Sequence, residues 1–295
     1  MRSRTLLLAL GLLAVCAPAA SADSLVVSAP GAQHVTANGG YVVWAAPAAN
    51  GRWRLAVRAP NGTVSLPQIT DFGAPPVAQI GSTGYAVAGR RLLAVYSRCQ
   101  GTSGTADCDV WAYDLRAGTE ERIDPLSSRT YSETAPSLEL GHFAFVRRGH
   151  GPRKGVYSYT LGSKSAPRRL STTLARETAT NGSRVAYTYN SSRGGGLAVR
   201  HLAGGSDVLV PVARQPVVPR SPLLTRYNAA WLLAAGKVRA TERFAGSGGP
   251  FKLVVVNGKR ALPASTNSIA LKNDRTSAPY FLDAEGIKAA APPLF

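Results

Sequence analysis

The chain predicts an all-β fold, a single six-bladed β-propeller of four-stranded antiparallel blades, and three observations predict it. Apolar residues alternate with period two through most of the chain, and no sustained helical stripe appears. Apolar runs carrying an aromatic recur along it: Trp44 in "YVVWA", Tyr96 in "LAVYS", Phe145 in "FAFV", Tyr187 in "VAYTY", Trp231 in "AAWLL" and Tyr280 in "APYFLD". The steps between these aromatics are 52, 49, 42, 44 and 49 residues, a spacing that suits strand-only repeats closed into a ring. Each of the first five runs is followed by a second strand and then a short outer one. The second strands are "WRLAVRA", "DVWAYDL", "GVYSYTL", "GLAVRHL" and "KLVVVNG"; the outer ones are "TVSLP", "ERID", "PRRLS", "VLVP" and "RALP". Glycine-rich or polar turns separate them, as hairpins require.

In chain order, residues 1–22 stand apart. Arg2 and Arg4 form a positive start, Leu6 to Ala17 is an apolar run too short to span a bilayer, and "ASA" at Ala20 to Ala22 offers small residues for cleavage. A secretory signal peptide over 1–22 follows, leaving 23–295 as one propeller domain without a transmembrane helix. The alternatives are an uncleaved anchor or a lipid anchor through Cys16 in "LAVC". The sixth repeat ends in "GIKAAAPPLF" without an outer strand. "SLVVSA" near the mature N-terminus is expected to supply that strand, because an open ring would expose sheet edges. One blade cannot bury both of its faces, so repetition is what creates the core. Counts of five or seven blades would follow from another division of Ser221 to Phe295.

Composition bounds the partners. The chain has 34 basic and 16 acidic residues, a net charge of +18. Removing Arg2 and Arg4 leaves 32 against 16, or +16. Such a charge concerns partners and solubility rather than fold, and outside a cell it suits wall polymers, anionic lipids or acidic glycans. A generally basic, solvated surface would give the same count. The arginines are spread over many repeats and the aromatics are accounted for by strands, so no nucleic-acid partner is expected. Cys99 and Cys108, in "CQGTSGTADC", are the only cysteines after Cys16. In an exported chain they are expected to pair with each other.

"APSLELGHFAFVRRG", "GVYSYTL" and "PRRLS", with "DVWAYDLRAGTEERID" one repeat earlier, resemble the repeat of TolB-type and related WD-repeat-like six-bladed propellers. That repeat runs from a Ser-Pro-Asp-Gly turn through an Ala-Phe strand and a Tyr-containing strand to a Lys/Arg-Leu-Thr ending. The turn is degraded here to "SLELG" and "TNGS", the fifth and sixth repeats match poorly, and the resemblance covers about two-thirds of the chain. It implies a propeller and leaves function open. A cell-envelope protein as partner is what it implies, and a monomer is expected.

Two groups of residues stand out as candidate sites. Arg98, Arg147, Arg148, His150, Arg153, Lys154 and Arg193 fall where the loops between second and third strands are expected, and would form an anion-binding face. Solvated loop charge is the alternative. Glu133 in "SETA" and Glu177 in "RETA" lie 44 residues apart, just before successive blades. Equivalent positions near a channel mouth would let two carboxylates bind a cation or act as an acid/base pair. Pairing of Glu177 with Arg176 is the simpler explanation. His34, His142, His150 and His201 have no metal-ligand spacing, and no nucleophile elbow, phosphate loop or dinucleotide fingerprint occurs. No cofactor and no metal are expected. The leading reading is an exported, non-enzymatic module or scaffold that binds a cell-envelope protein or an anionic surface polymer. The alternative is a carbohydrate-active propeller enzyme, a glycoside hydrolase or lyase.

Overall fold

The computed structural model describes residues 23–68, 80–86, 90–99, 107–149, 151–191, 194–210, 220–224, 229–233, 237–241, 255–257, 262–263, 265–266, 268–270 and 280–290. The expected signal peptide at 1–22 and the Cys16 anchor lie outside them. The strands are β1 (Ser24–Ser28), β2 (Gln33–Asn38), β3 (Tyr41–Pro47), β4 (Trp53–Arg58), β5 (Val64–Ser65), β6 (Ile80–Tyr85), β7 (Leu92–Cys99), β8 (Cys108–Asp114) and β9 (Thr119–Arg122). They continue as β10 (Ser132–Glu139), β11 (His142–Arg148), β12 (Gly155–Thr160), β13 (Arg168–Ser171), β14 (Ala175–Thr180), β15 (Arg184–Ser191), β16 (Gly194–His201) and β17 (Val208–Val210). The last are β18 (Arg220–Leu224), β19 (Ala229–Leu232), β20 (Val238–Thr241), β21 (Val255–Asn257), β22 (Ser268–Ala270), β23 (Tyr280–Leu282) and β24 (Gly286–Ala289).

These strands form four-stranded antiparallel sheets in a propeller arrangement. Five sheets take four consecutive strands each, starting from β2, β6, β10, β14 and β18; the sixth runs β22, β23, β24 and then β1. The N-terminal strand pairs antiparallel with β24, Ser24 opposite Ala289 and Ser28 opposite Gly286. An apolar cluster lies between each successive pair of sheets. Strand alternation divides it: Phe143 and Phe145 pack back against Leu93 and Val95 of the second sheet, while Ala144 and Val146 pack forward against Ala175 and Tyr187 of the fourth. Val42, Trp44, Tyr280 and Leu282 form the cluster that joins the sixth sheet to the first. The recurring aromatics Trp44, Tyr96, Phe145, Tyr187, Trp231 and Tyr280 are all buried in these seams. No helix among the described residues is long and apolar enough to cross a membrane.

The first strand of every sheet was not among the sequence-level strands. β2, β6, β10, β14, β18 and β22 are innermost and pack against one another in order, β22 returning to β2. Five of them have a register irregularity near their start: between Gln33 and Thr36, Ile80 and Thr83, Thr134 and Ser137, Ala175 and Glu177, and Arg220 and Leu223. Such a bulge bends the strand and withdraws backbone groups from its own ladder. Hydroxyls of the adjoining sheet take some of them up. Val35 N–H donates to Ser268 Oγ at 3.1 Å, Thr83 N–H donates to Thr36 Oγ1 at 2.7 Å, and Thr178 Oγ1 donates to Ala135 O at 2.7 Å. Ser137 Oγ lies 2.8 Å from Thr178 Oγ1. A Cβ placed on Gly81 or Gly84 would collide with the carbonyls of Pro136 or Leu138, so these two strands meet backbone to backbone.

The fifth sheet departs from the sequence-level division. "KLVVVNG" does not supply its third strand. "VRAT" of β20 does, and β21, within "KLVVVNG", is the outer strand. In the second sheet, Cys99 stands opposite Cys108 at the ends of β7 and β8, and the two form a disulfide.

Three stability outcomes follow. Gly81→Ala should cost about 2 kcal/mol or more, because its neighbour is fixed backbone, and a urea midpoint equal to wild type would contradict the close approach. Thr178→Val should cost about 1–3 kcal/mol through the lost donor to the buried Ala135 carbonyl. The double change Cys99→Ala/Cys108→Ala should cost about 2–3 kcal/mol on chain-entropy grounds, and mass measurement of the unreduced protein should show two fewer hydrogens than the reduced form.

Candidate functional site

Three of the cations selected from sequence, Arg98, Arg147 and Arg148, are strand residues with partners inside the protein. Arg147 and Arg148 end β11 and point to opposite sides. Arg147 turns back toward the second sheet: its Nε donates to Glu133 Oε1 at 2.9 Å and an Nη donates to the Leu126 carbonyl at 3.4 Å. Its guanidinium lies 4.6 Å from the ring centre of Tyr157, with Phe145 and Tyr131 at 5.7 and 5.9 Å. Three aromatic faces and the Glu133 carboxyl thus hold this side chain, which is only 13% exposed. Arg148 turns forward and bonds to Thr134 Oγ1 and the Ala175 carbonyl. Arg98 lies within β7, 4.0 Å over the Trp111 ring and 3.4 Å from Glu120 Oε2. Glu120 also accepts from the Tyr96 hydroxyl.

Arg98, Arg147 and Arg148, expected from sequence on an anion-binding loop face, instead have partners within the protein. Their hairpins stay paired to the strand ends, which turns loop positions into ladder positions. Arg153 and Lys154 are exposed as expected. Arg193 and His150 lie outside the described residues. Sequence reading missed Arg129, which is exposed on the connection leading into β10. This connection and the 149–154 loop share one end of the molecule. A Cβ on Gly149 would press on Tyr131 and the Thr130 carbonyl, and one on Gly151 would meet the Tyr131 hydroxyl. The loop is fastened from within by the Tyr157 hydroxyl, which donates to the Arg153 carbonyl at 2.7 Å. Arg169 caps the Pro152 carbonyl. The result is a basic rim, Arg129, Arg153 and Lys154, on an anchored loop.

Glu133 and Glu177 do not form an equivalent pair. Gly141 and Ser183 play the same part in the third and fourth sheets, accepting from the amides of Leu161 and Leu202. The structural offset is therefore 42 residues, not the 44 that separates the glutamates. Glu133 stands opposite Arg147, whose counterpart Tyr189 stands opposite Ala175. Glu177 stands opposite Thr188, the counterpart of Val146, which faces Thr134. The glutamates thus sit one register step apart, and both lie in the innermost strands rather than in connections. Glu133 is completely buried, out of reach of a substrate. Its other oxygen accepts from the Ser128 N–H at 3.2 Å. Burial pushes its carboxyl up to about 8, against the pull of Arg147.

The histidines are dispersed. His34 sits in the β2 bulge at positive φ, and burial lowers its ring to about 4. His142 shares a hydrogen bond with Thr160, and burial lowers His201. Among the described residues, no group of three or more His, Cys, Asp or Glu is placed to hold a metal ion.

No family model matches the chain, and no curated protein matches it. Solved structures do match in fold. TolB from Acinetobacter baumannii superposes with a TM-score of 0.53 at 13% identity, over 85% of this chain and 63% of that one. The chain thus spans less than two-thirds of the length of that TolB structure. A chain of the mitotic checkpoint complex gives 0.55 at 12% identity, over 99% of this chain and 100% of that one. PorZ, a bacterial surface component of the type-IX secretion system of Porphyromonas gingivalis, gives 0.51 at 11% identity, over 89% of this chain and 32% of that one. At these identities the likeness is one of fold, that of a β-propeller.

The Glu133 carboxyl has a measurable consequence. Its folded value is raised above its unfolded one, so the folded protein holds the proton more tightly. That stability is full below about pH 4.5 and is lost as pH rises through about 8. Glu133→Gln should carry a constant cost, because an amide N–H would face the Ser128 N–H, but its stability should fall less than that of wild type between pH 5 and 8. Parallel urea midpoints across that range would remove Glu133 as the source.

Proposed function

We propose that this chain is an exported, non-enzymatic, six-bladed propeller of TolB type that acts as a binding module or scaffold at the cell envelope. Its partner is an anionic surface polymer, bound through the rim of Arg129, Arg153 and Lys154. The observation that carries this reading is the sorting of the cations. Arg98 and Arg147 are engaged by acidic and aromatic side chains inside the fold, whereas Arg129, Arg153 and Lys154 remain exposed at one end. The loop that bears two of them is held in shape by Tyr131, Tyr157 and Arg169. Fixed charge on a rigid edge suits a repeating polyanion, for which little reorganisation is needed on binding.

The sealing of β1 onto β24 and the disulfide fit a secreted or periplasmic protein matured by removal of residues 1–22. The misregister of Glu133 and Glu177, and the burial of Glu133, weigh against a hydrolase or lyase working through these two groups. A cell-envelope protein is the partner to seek if no polymer binds.

The test is co-sedimentation with teichoic-type polymers, heparin-like glycans and anionic vesicles. Wild type is compared with Arg129→Gln/Arg153→Gln/Lys154→Gln. Wild type should bind at low salt and lose most binding near physiological ionic strength, where exposed charges act over about 8–10 Å. The triple variant should bind at least several-fold more weakly. Equal binding by both proteins, or none by either, would end the polymer reading.

A further inference from the structure

Arg147 stands between the two segments that carry the basic rim. On one side is the connection from Leu126 to Tyr131, which bears Arg129. An Nη of Arg147 donates to the Leu126 carbonyl at 3.4 Å, and its Nε donates to Glu133 Oε1 at 2.9 Å. Glu133 Oε2 in turn accepts from the Ser128 N–H at 3.2 Å. The guanidinium also lies 5.9 Å from the Tyr131 ring centre. The connection is thus held at Leu126, Ser128 and Tyr131, on both sides of Arg129. On the other side is the loop that bears Arg153 and Lys154. Tyr157 presents its ring to the guanidinium at 4.6 Å and donates its hydroxyl to the Arg153 carbonyl at 2.7 Å. One buried side chain touches the supports of both halves of the rim, while the rim cations themselves are exposed.

We infer that Arg147 is the positioning residue of the rim: it sets the Arg129 connection and the Arg153–Lys154 loop at a fixed spacing, and polyanion binding depends on it although it is not itself a contact. The dependence of binding rests on the rim being the polymer site; the coupling of the two segments rests on the contacts alone. A guanidinium suits this place. Its flat face lies over Tyr157 while its edge donates in two directions, to a carboxyl and to a carbonyl. A lysine ammonium could meet Glu133 but has no planar face and no fork. An apolar side chain could cover Tyr157 but would leave the Leu126 carbonyl and Glu133 without their donor. A rim held in this way meets its ligand without first ordering two separate segments, a cost that would be subtracted from affinity. The ligand that gains from it is an extended polyanion reaching both segments, since a small anion engages one.

The experiment is limited trypsin digestion of the native full chain, with the cuts located by mass spectrometry, beside co-sedimentation with a heparin-like glycan at low salt. The proteins are wild type, Arg147→Lys, Tyr157→Phe and Arg98→Lys, each checked by circular dichroism. Arg147→Lys preserves the net charge and the number of tryptic sites. It should speed cutting after Arg129 and after Arg153 or Lys154 together, each about fivefold or more, because cleavage follows how often a segment opens. Cutting after Lys164, exposed elsewhere on the third sheet, should change less than about twofold. Tyr157→Phe should speed cutting at Arg153 and Lys154 only. Arg98→Lys, which disturbs the stack on Trp111, should leave both segments as in wild type. The glycan should bind Arg147→Lys about threefold more weakly or worse. A rise at one segment only, no rise, or an equal rise at Lys164 overturns the inference. So does glycan binding by Arg147→Lys equal to that of a wild type that binds. Coupled loosening with no glycan binding by wild type upholds the coupling and sinks the polymer reading of the rim, so the two failures are told apart. Should Arg147→Lys not fold, Tyr131→Leu takes its place, because Tyr131 belongs to one segment and packs on Gly149 and Gly151 of the other; it too should free both.

Discussion

The architecture depends on how closely the innermost strands approach. Gly81 and Gly84 let β6 lie on the carbonyls of Pro136 and Leu138, with no side chain between. Backbone at that range brings its polar groups along, and each needs a partner. Bulges expose those groups and the hydroxyls of Thr36, Thr178 and Ser268 receive them. Farther from the centre the sheets diverge, and larger side chains fill the widening space. That is why the aromatics sit on the second strands, as Trp44, Tyr96, Phe145, Tyr187 and Trp231 do. The gradient runs from hydroxyl and glycine at the middle to aromatic, and then, in the second and third sheets, to charged outer strands, "TEER" and "RRLS".

The same geometry sorts the charges. A strand that ends one residue later turns a solvent-facing arginine into a ladder residue with a defined side. Arg147 and Arg148 are neighbours in sequence, yet one meets Glu133 and three aromatic rings and the other meets only neutral oxygens. Net charge is thus a poor guide to available charge. What reaches a partner is decided by hairpin length and by the parity of the residue.

Sequence made the propeller legible because its strongest signals, apolar alternation and a repeated aromatic, belong to the second and third strands. The expected closing strand "SLVVSA" is β1, paired with β24, and the two cysteines are joined. The innermost strands were not legible. "QHVTAN", "IGSTGY" and "ARETAT" are rich in hydroxyls and glycine, the composition of turns, because they meet backbone rather than apolar surface. "VRAT" was likewise too short and polar to displace "KLVVVNG". The glutamate echo misled for a related reason. A bulge adds one residue without marking the sequence, so "SETA" and "RETA" coincide as letters while their carboxylates are a register step apart. Arg153 and Lys154 stay exposed because a loop bounded by glycines at 149, 151 and 155 leaves no ladder for them to join.

The pairing of β1 with β24 has a consequence in time. The first described strand finds its partner more than 250 residues later, since Ser24 faces Ala289. A contact of such long range is slow to form and comes late. Until β24, the last described strand, is delivered, β1 has nothing to join, so its edge stays open to other chains. The β1 edge therefore remains exposed for as long as β24 takes to emerge. A lesion near Gly286, where a Cβ would strike the Val27 carbonyl, would leave every earlier sheet intact and still produce an aggregation-prone protein.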